Sequence, residues 1–185
     1  MTEPKVPAAV RDLDRHVARY RREFPNIDPQ VERIVAAIFR LNRRMDLAYA
    51  RQLRTLDITN AEWEVLKELV LAGRPYRLTP GELAKRLGLT PAAMTHRIDR
   101  MLDDGLVTRT RDESNRVRVI IELTPKGRDK WLEAMRLASG FEEELLSDLE
   151  AADREAMAAM LTRMLVRVEA TQPDATGRTD DLDQP

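Results

Sequence analysis

Leu83-Ala84-Lys85-Arg86-Leu87-Gly88-Leu89-Thr90-Pro91-Ala92-Ala93-Met94-Thr95-His96-Arg97-Ile98-Asp99-Arg100-Met101-Leu102 decides the fold of this 185-residue chain. It reads as two helices joined by a tight turn. Gly88 ends the first, because glycine enters the left-handed region without steric cost. Thr90 and Pro91 restart the chain as N-cap and first helical residue. The second helix runs from about Pro91 to Asp104. Met94, Ile98, Met101 and Leu102 fall at the three-and-four spacing of a buried face, while Thr95, His96, Arg97, Asp99 and Arg100 share the polar side. Gly105 marks its end. The segments Leu106–Arg111 and Val117–Leu123 are rich in β-branched residues and flank a polar tip, Asp112 to Arg116, which predicts a hairpin.

Helix, turn, helix and hairpin between Leu78 and Thr124 make a winged helix-turn-helix. In such units the N-terminal part of the second helix enters the major groove of double-stranded DNA, and hydroxyl and basic side chains hold phosphates. Thr90, Ala92, Ala93, Thr95 and His96 are therefore placed toward bases or phosphates, the small alanines permitting close approach. Arg97 or Arg100 is long enough for a guanine or a phosphate, and Arg116 or Arg118 on the wing for a narrow minor groove. Asp99 is expected to brace an arginine, since phosphates repel it. Arg100 divides between that structural role and DNA.

Outward from this unit the chain reads as helix. Val10, Leu13, Val17, Tyr20 and Phe24 form a stripe among Arg11, Arg15, Arg19, Arg21 and Arg22. A long amphipathic helix runs from about Pro29 to Leu56, with Asp28 as N-cap; Thr59 and Glu62 form a capping box for the next. Thr124-Pro125 opens another helix, and the last, about Ala151 to Ala170, carries Met157, Met160, Leu161, Met164, Leu165 and Val168 in a near-heptad stripe. The winged unit is too small to cover all these faces, so they predict a homodimer, whose twofold axis suits a twofold operator. The resulting organisation is mainly α with a small β-hairpin wing: an extension helix at 7–27, a helical dimerisation domain from 28–57 and 124–170, the winged unit at 58–123, and an acidic tail at 171–185 whose lack of hydrophobic pattern predicts disorder.

Composition narrows the function. With no cysteine and only His16 and His96 as imidazoles, disulfides, iron-sulfur clusters and cysteine zinc sites are excluded, and neither a metal site nor a cofactor is expected. No apolar run approaches the ~20 residues of a membrane span, and the start does not resemble a signal peptide, so the expected location is cytoplasmic. Net charge is −1, but basic residues recur from Lys85 to Lys130, whereas Glu142 to Glu155 is acidic. A phosphate loop, nucleophile elbow and metal motif are all missing, which argues against an enzyme. The rival reading is a winged-helix module used for protein binding, distinguished by its lack of the salt dependence that phosphate neutralisation brings.

Leu83-Ala84 with Leu87-Gly88, Met94 to Met101, Gly105-Leu106-Val107 and Leu123-Thr124-Pro125-Lys126-Gly127 together resemble the multiple antibiotic resistance regulator (MarR) family over Asp28 to Ala170. The resemblance implies a homodimer that binds a palindromic promoter and usually represses, releasing DNA when a small, often aromatic or anionic, effector binds. The family's wing tip typically reads Asp-Arg-Arg; here it is Asn115-Arg116-Val117, with Arg118 as substitute charge. Ala61 to Leu66, Gly73 to Pro80 and the extra N-terminal helix resemble the branch that answers to urate or citrate-like acids. That likeness implies an effector site at Glu64, Arg97 and Arg109. The branch's tryptophan is missing and Glu64 replaces an aspartate, so the expectation is an anionic metabolite held by Arg97 and Arg109 and repelled by Glu64. The alternative is a plain salt bridge from Glu64 to an arginine, and the N-terminal helix serves as either dimer brace or ligand contact.

Overall fold

A computed structural model of the chain describes residues 7–111 and 118–172. Its elements are α1 (Ala8–Glu23), α2 (Pro29–Thr55), α3 (Asn60–Leu71), β1 (Arg77–Leu78), α4 (Pro80–Arg86), α5 (Pro91–Asp103), β2 (Val107–Arg111), β3 (Val119–Leu123), α6 (Pro125–Leu145) and α7 (Ala151–Thr171). They divide into two compact units, Met1–Arg51 and Gln52–Pro185.

In the first unit Asp28 starts α2 as the sequence predicts: its Oδ1 accepts from the N–H of Gln30 at 2.8 Å and of Val31 at 3.2 Å. Helix α1 is clipped to α2 by polar contacts. His16 Nε2 lies 2.6 Å from Glu32 Oε1, and Arg33 pairs with Asp14. Val17 is the one residue of the α1 stripe that is buried, whereas Tyr20 and Phe24 remain exposed.

The second unit holds the core. Val65, Leu66 and Leu69 of α3, Leu83 of α4, Met94, Ile98 and Met101 of α5 and Ile121 of β3 are fully enclosed. Burying each such side chain contributes about 1.5–3 kcal/mol, so this cluster fixes the attitude of α5 against α3 and α4. Two buried acids border it, each beside an arginine: Glu62 with Arg100 at 3.2 Å and Glu68 with Arg86 at 3.5 Å.

The wing departs from a two-stranded hairpin. The sheet has three antiparallel strands in the order β1-β3-β2, with Arg77 opposite Glu122 and Arg109 opposite Ile121. Two residues are too few to show a period, which is why β1 is invisible in the sequence. It is held by pairing, including an Arg77–Glu122 ion pair at 3.0 Å. Helix α4 also begins earlier than Leu83. Thr79 and Glu82 close a capping box ahead of it, with Pro80 in its first turn.

Thr124 ties α6 to the exit of α5. Its hydroxyl donates to the carbonyls of Gly105 (2.8 Å) and Leu106 (3.0 Å) and accepts from the N–H of Gly127 at 2.9 Å. Helix α7 buries none of its residues; Met160 and Leu165 are 60% and 63% exposed.

Candidate nucleic-acid interface

Helix α5 presents the division of faces that its sequence predicts. Met94, Ile98 and Met101 are buried, Arg97 is half-buried, and Thr90, Ala92, Ala93, Thr95, His96, Asp99 and Arg100 are exposed. Thr90 Oγ1 caps the helix, accepting from the N–H of Ala93 at 3.3 Å. The Thr95 hydroxyl donates to the Pro91 carbonyl at 2.9 Å, so its proton is engaged within the helix. The short side chains of Ala92 and Ala93 leave the first turn open, where the helix N-terminus favours negative charge.

The surrounding arginines are braced. Asp99 holds Arg109 at 2.7 Å, joining α5 to β2, and Glu82 holds Arg118 at 3.3 Å, joining α4 to the approach to β3. The first pair gives Asp99 the structural role expected of it. Arg100 has Glu62 beside it and remains 57% exposed. Arg97 makes no ion pair among the described residues. Arg116 and the substituted wing tip lie outside them.

Beneath the exposed face is a cavity of about 290 Å³, lined by Thr59, Glu62, Ala93, His96, Arg97 and Arg100, with Ala61. Glu62 is its most constrained member. Its Oε2 accepts from both the N–H and the hydroxyl of Thr59, each at 2.8 Å. Its Oε1 is buried without a hydrogen bond although Arg100 Nη2 lies 3.2 Å away; the two groups are close but misaligned, a Coulombic contact only. Of the predicted effector residues Glu64, Arg97 and Arg109, Arg97 lines this cavity. Glu64 pairs with Lys67 at 2.7 Å, one turn along α3, and Arg109 belongs to Asp99. The acid that lines the cavity together with Arg97 is Glu62, which the sequence shows only as a cap.

Glu82 couples this region to pH. Its partial burial opposes ionisation, but the N–H (2.6 Å) and hydroxyl (2.7 Å) of Thr79, with Arg118 and Arg86, outweigh that and hold its carboxyl below the ordinary glutamate range. A lowered native value means its contribution is fully present above the unfolded pKa and is lost as pH falls through the native one. Melting curves from about pH 6 to about pH 3 should therefore decline less steeply for Glu82→Gln than for the parent. Parallel curves would refute the link.

A family model described as the MarR family matches residues 56–116, the span from the start of α3 to the wing. The chain belongs to the MarR family. Among MarR-family relatives, the transcriptional repressor YetL of Bacillus subtilis is 25% identical over 114 residues, 62% of this chain and 68% of that protein. The MarR protein of Salmonella typhimurium is 33% identical over 90 residues, 49% of this chain and 60% of the relative. The structure of a point mutant of Staphylococcus aureus MepR bound to an oligodeoxyribonucleotide superposes with a TM-score of 0.60 at 27% identity, covering 72% of this chain and 97% of that one. Like other MarR-family members, this protein is a DNA-binding transcriptional regulator with a winged helix-turn-helix. No helix among its described residues is long and apolar enough to cross a membrane, and none of their acids and histidines group as a metal site.

Proposed function

We propose that the chain is a cytoplasmic homodimeric repressor that binds a palindromic promoter site and is released by a small anionic effector, without catalysis of its own. The observation that carries the DNA reading is α5: a fully buried Met94-Ile98-Met101 face beneath an exposed N-terminal half with small and hydroxyl residues. The dimer reading rests on α7, whose apolar stripe is uncovered in the single chain; with residues 28–57 and 124–170 it forms the dimerisation domain. Thr90, Ala92, Ala93, Thr95 and His96 face the duplex, and Arg97, Arg100, Arg116 and Arg118 supply positive charge.

The effector occupies the cavity around Glu62. A carboxylate or urate-like anion is bound by Arg97 and Arg100, against the wall that Glu62 closes. This assigns the acid to Glu62 in place of Glu64 and leaves Arg109 to its brace. Because His96, Arg97 and Arg100 belong to both surfaces, an anion there neutralises charge that the phosphates need, and affinity for DNA falls.

A gel shift on the protein's own upstream DNA tests the reading, titrated first with salt and then with urate, citrate, aconitate and aromatic acids. Specific binding should weaken by about 10³-fold or more between 50 and 200 mM salt if six or more phosphates are contacted. One acid should relieve binding in the parent and fail to do so in Arg97→Ala that still binds DNA. Unchanged relief in that variant removes the effector site. Absence of specific, salt-sensitive binding makes a protein-interaction module the better account.

A further inference from the structure

The first unit holds a second cavity, built from α1 and α2 alone. With a volume of about 810 Å³, it is lined by Arg15 and Arg19 of α1 and Arg40, Arg43 and Arg44 of α2, with Tyr20 at its side. It shares no residue with the Glu62 cavity. Asp12 is the one carboxylate in its lining, and it is already engaged by Arg15. That hydrogen bond, with the charges of Arg40 and Arg11, holds the Asp12 carboxyl below its ordinary range. Arg19, Arg43 and Arg44 make no ion pair among the described residues.

Arg15 and Arg19 stand one helical turn apart, as do Arg40 and Arg44, and like charges at that spacing destabilise a helix. An anion of several charges removes the repulsion. Guanidinium forks match phosphate oxygens in paired hydrogen bonds. The volume lies within the range of small-molecule sites and leaves room for more than one phosphate. It also has an aromatic wall: Tyr20 lies against His16 in a tilted arrangement, with ring centroids 4.5 Å apart and an interplanar angle of 31°. His16 is itself anchored by Glu32 at 2.6 Å, and Tyr20 is 44% exposed. Five arginines beside an open aromatic face fit clustered phosphates attached to a planar ring. A concave site between two helices suits a small molecule better than the convex backbone of a duplex.

We propose that this arginine cavity binds a nucleoside polyphosphate, one per chain, with the phosphates on Arg19, Arg40, Arg43 and Arg44 and the base against Tyr20.

Calorimetric titration of the full chain at about physiological salt, with chelator present, tests this using ATP, GTP, inorganic tripolyphosphate and citrate. The nucleotides should bind at a ratio of one per chain and tripolyphosphate about tenfold more weakly because it lacks the stacking base, while any citrate heat, arising at the Glu62 cavity, should be unchanged by Arg43→Ala/Arg44→Ala. Arg43→Ala/Arg44→Ala should weaken all three polyphosphates by at least about tenfold, the equivalent of about 1.4 kcal/mol. Tyr20→Ala should bring ATP and GTP down to the tripolyphosphate level without changing tripolyphosphate itself, a readout that general charge screening would not move. Circular dichroism confirms folding; if the double arginine variant does not fold, Arg19→Gln and Tyr20→Ala decide the question. No heat with any polyphosphate, or polyphosphate binding indifferent to these substitutions, would each overturn the proposal. So would a double variant that loses DNA affinity or becomes monomeric without nucleotide present, because the arginines would then serve the duplex or the partner copy.

Discussion

Gly127→Ala is expected to lower the melting temperature more than alanine at any other glycine among the described residues. A Cβ at this position would stand 2.1 Å from the Leu106 carbonyl oxygen and 2.9 Å from Leu123 Cδ1. The first of these is backbone and cannot rotate away. Relief requires the start of α6 to withdraw from Leu106, which strains the hydrogen bonds from Thr124 to Leu106 at 3.1 Å and to Gly105 at 2.8 Å. Leu106 in turn donates its N–H to the Met101 carbonyl at 2.9 Å, so the disturbance reaches the end of α5. Overpacking of this kind costs about 3 kcal/mol, which is about 6–12 °C for a chain of this size. Gly140 supplies the control. It lies in the same helix with nothing within 4 Å of a Cβ, and alanine there should stabilise by about 0.5–1 kcal/mol. Calorimetric melts showing equal shifts for the two variants would disprove the account.

Ala92→Glu separates folding from DNA binding. Ala92 is the second residue of α5 and is exposed. A carboxylate in the first turn favours the helix dipole by about 0.3–1 kcal/mol, so the melting temperature should hold or rise. The same carboxylate would meet phosphates where the helix enters the groove, and the expected loss of operator affinity is about 100-fold or more, about 2.7 kcal/mol. Gel shifts and melts on one preparation check both halves. Retained binding would mean that the N-terminal turn of α5 does not enter the groove.

Much of this is legible in the residue pattern because the determinants are local. The three-and-four spacing of Met94, Ile98 and Met101 separates the faces of α5, and Thr59 with Glu62 forms the capping box that the sequence spells out. Thr79-Pro80-Gly81-Glu82 carries the same signal at the start of α4. Other features depend on distance in space. Asp99 and Arg109 are ten positions apart and meet only because Gly105 reverses the chain. Arg118 meets Glu82 across 36 positions. The pairing of Arg77 with Glu122 needs a third strand that has no periodicity of its own. Glu62 shows most clearly why a site is harder to read than a fold. Its spacing identifies a cap, but only the packing of α5 over α3 leaves one of its oxygens buried and without a hydrogen bond.

The bridges Asp99–Arg109 and Glu82–Arg118 span the DNA-reading head from helix to strand. Exposed pairs of this kind contribute only about 0–1 kcal/mol each, but Met94, Ile98 and Met101 of α5 share one buried core with Val107 of β2 and Ile121 of β3, so the head acts as a gauge whose interval along the double helix is set by the protein. Inserting one base pair between the steps touched by α5 and those touched by the wing rotates the second set by about a tenth of a turn, and the gauge has no joint with which to follow. A half-site would then be accepted or refused as a whole, and its tolerated length becomes a property written in the core that helix and strands share.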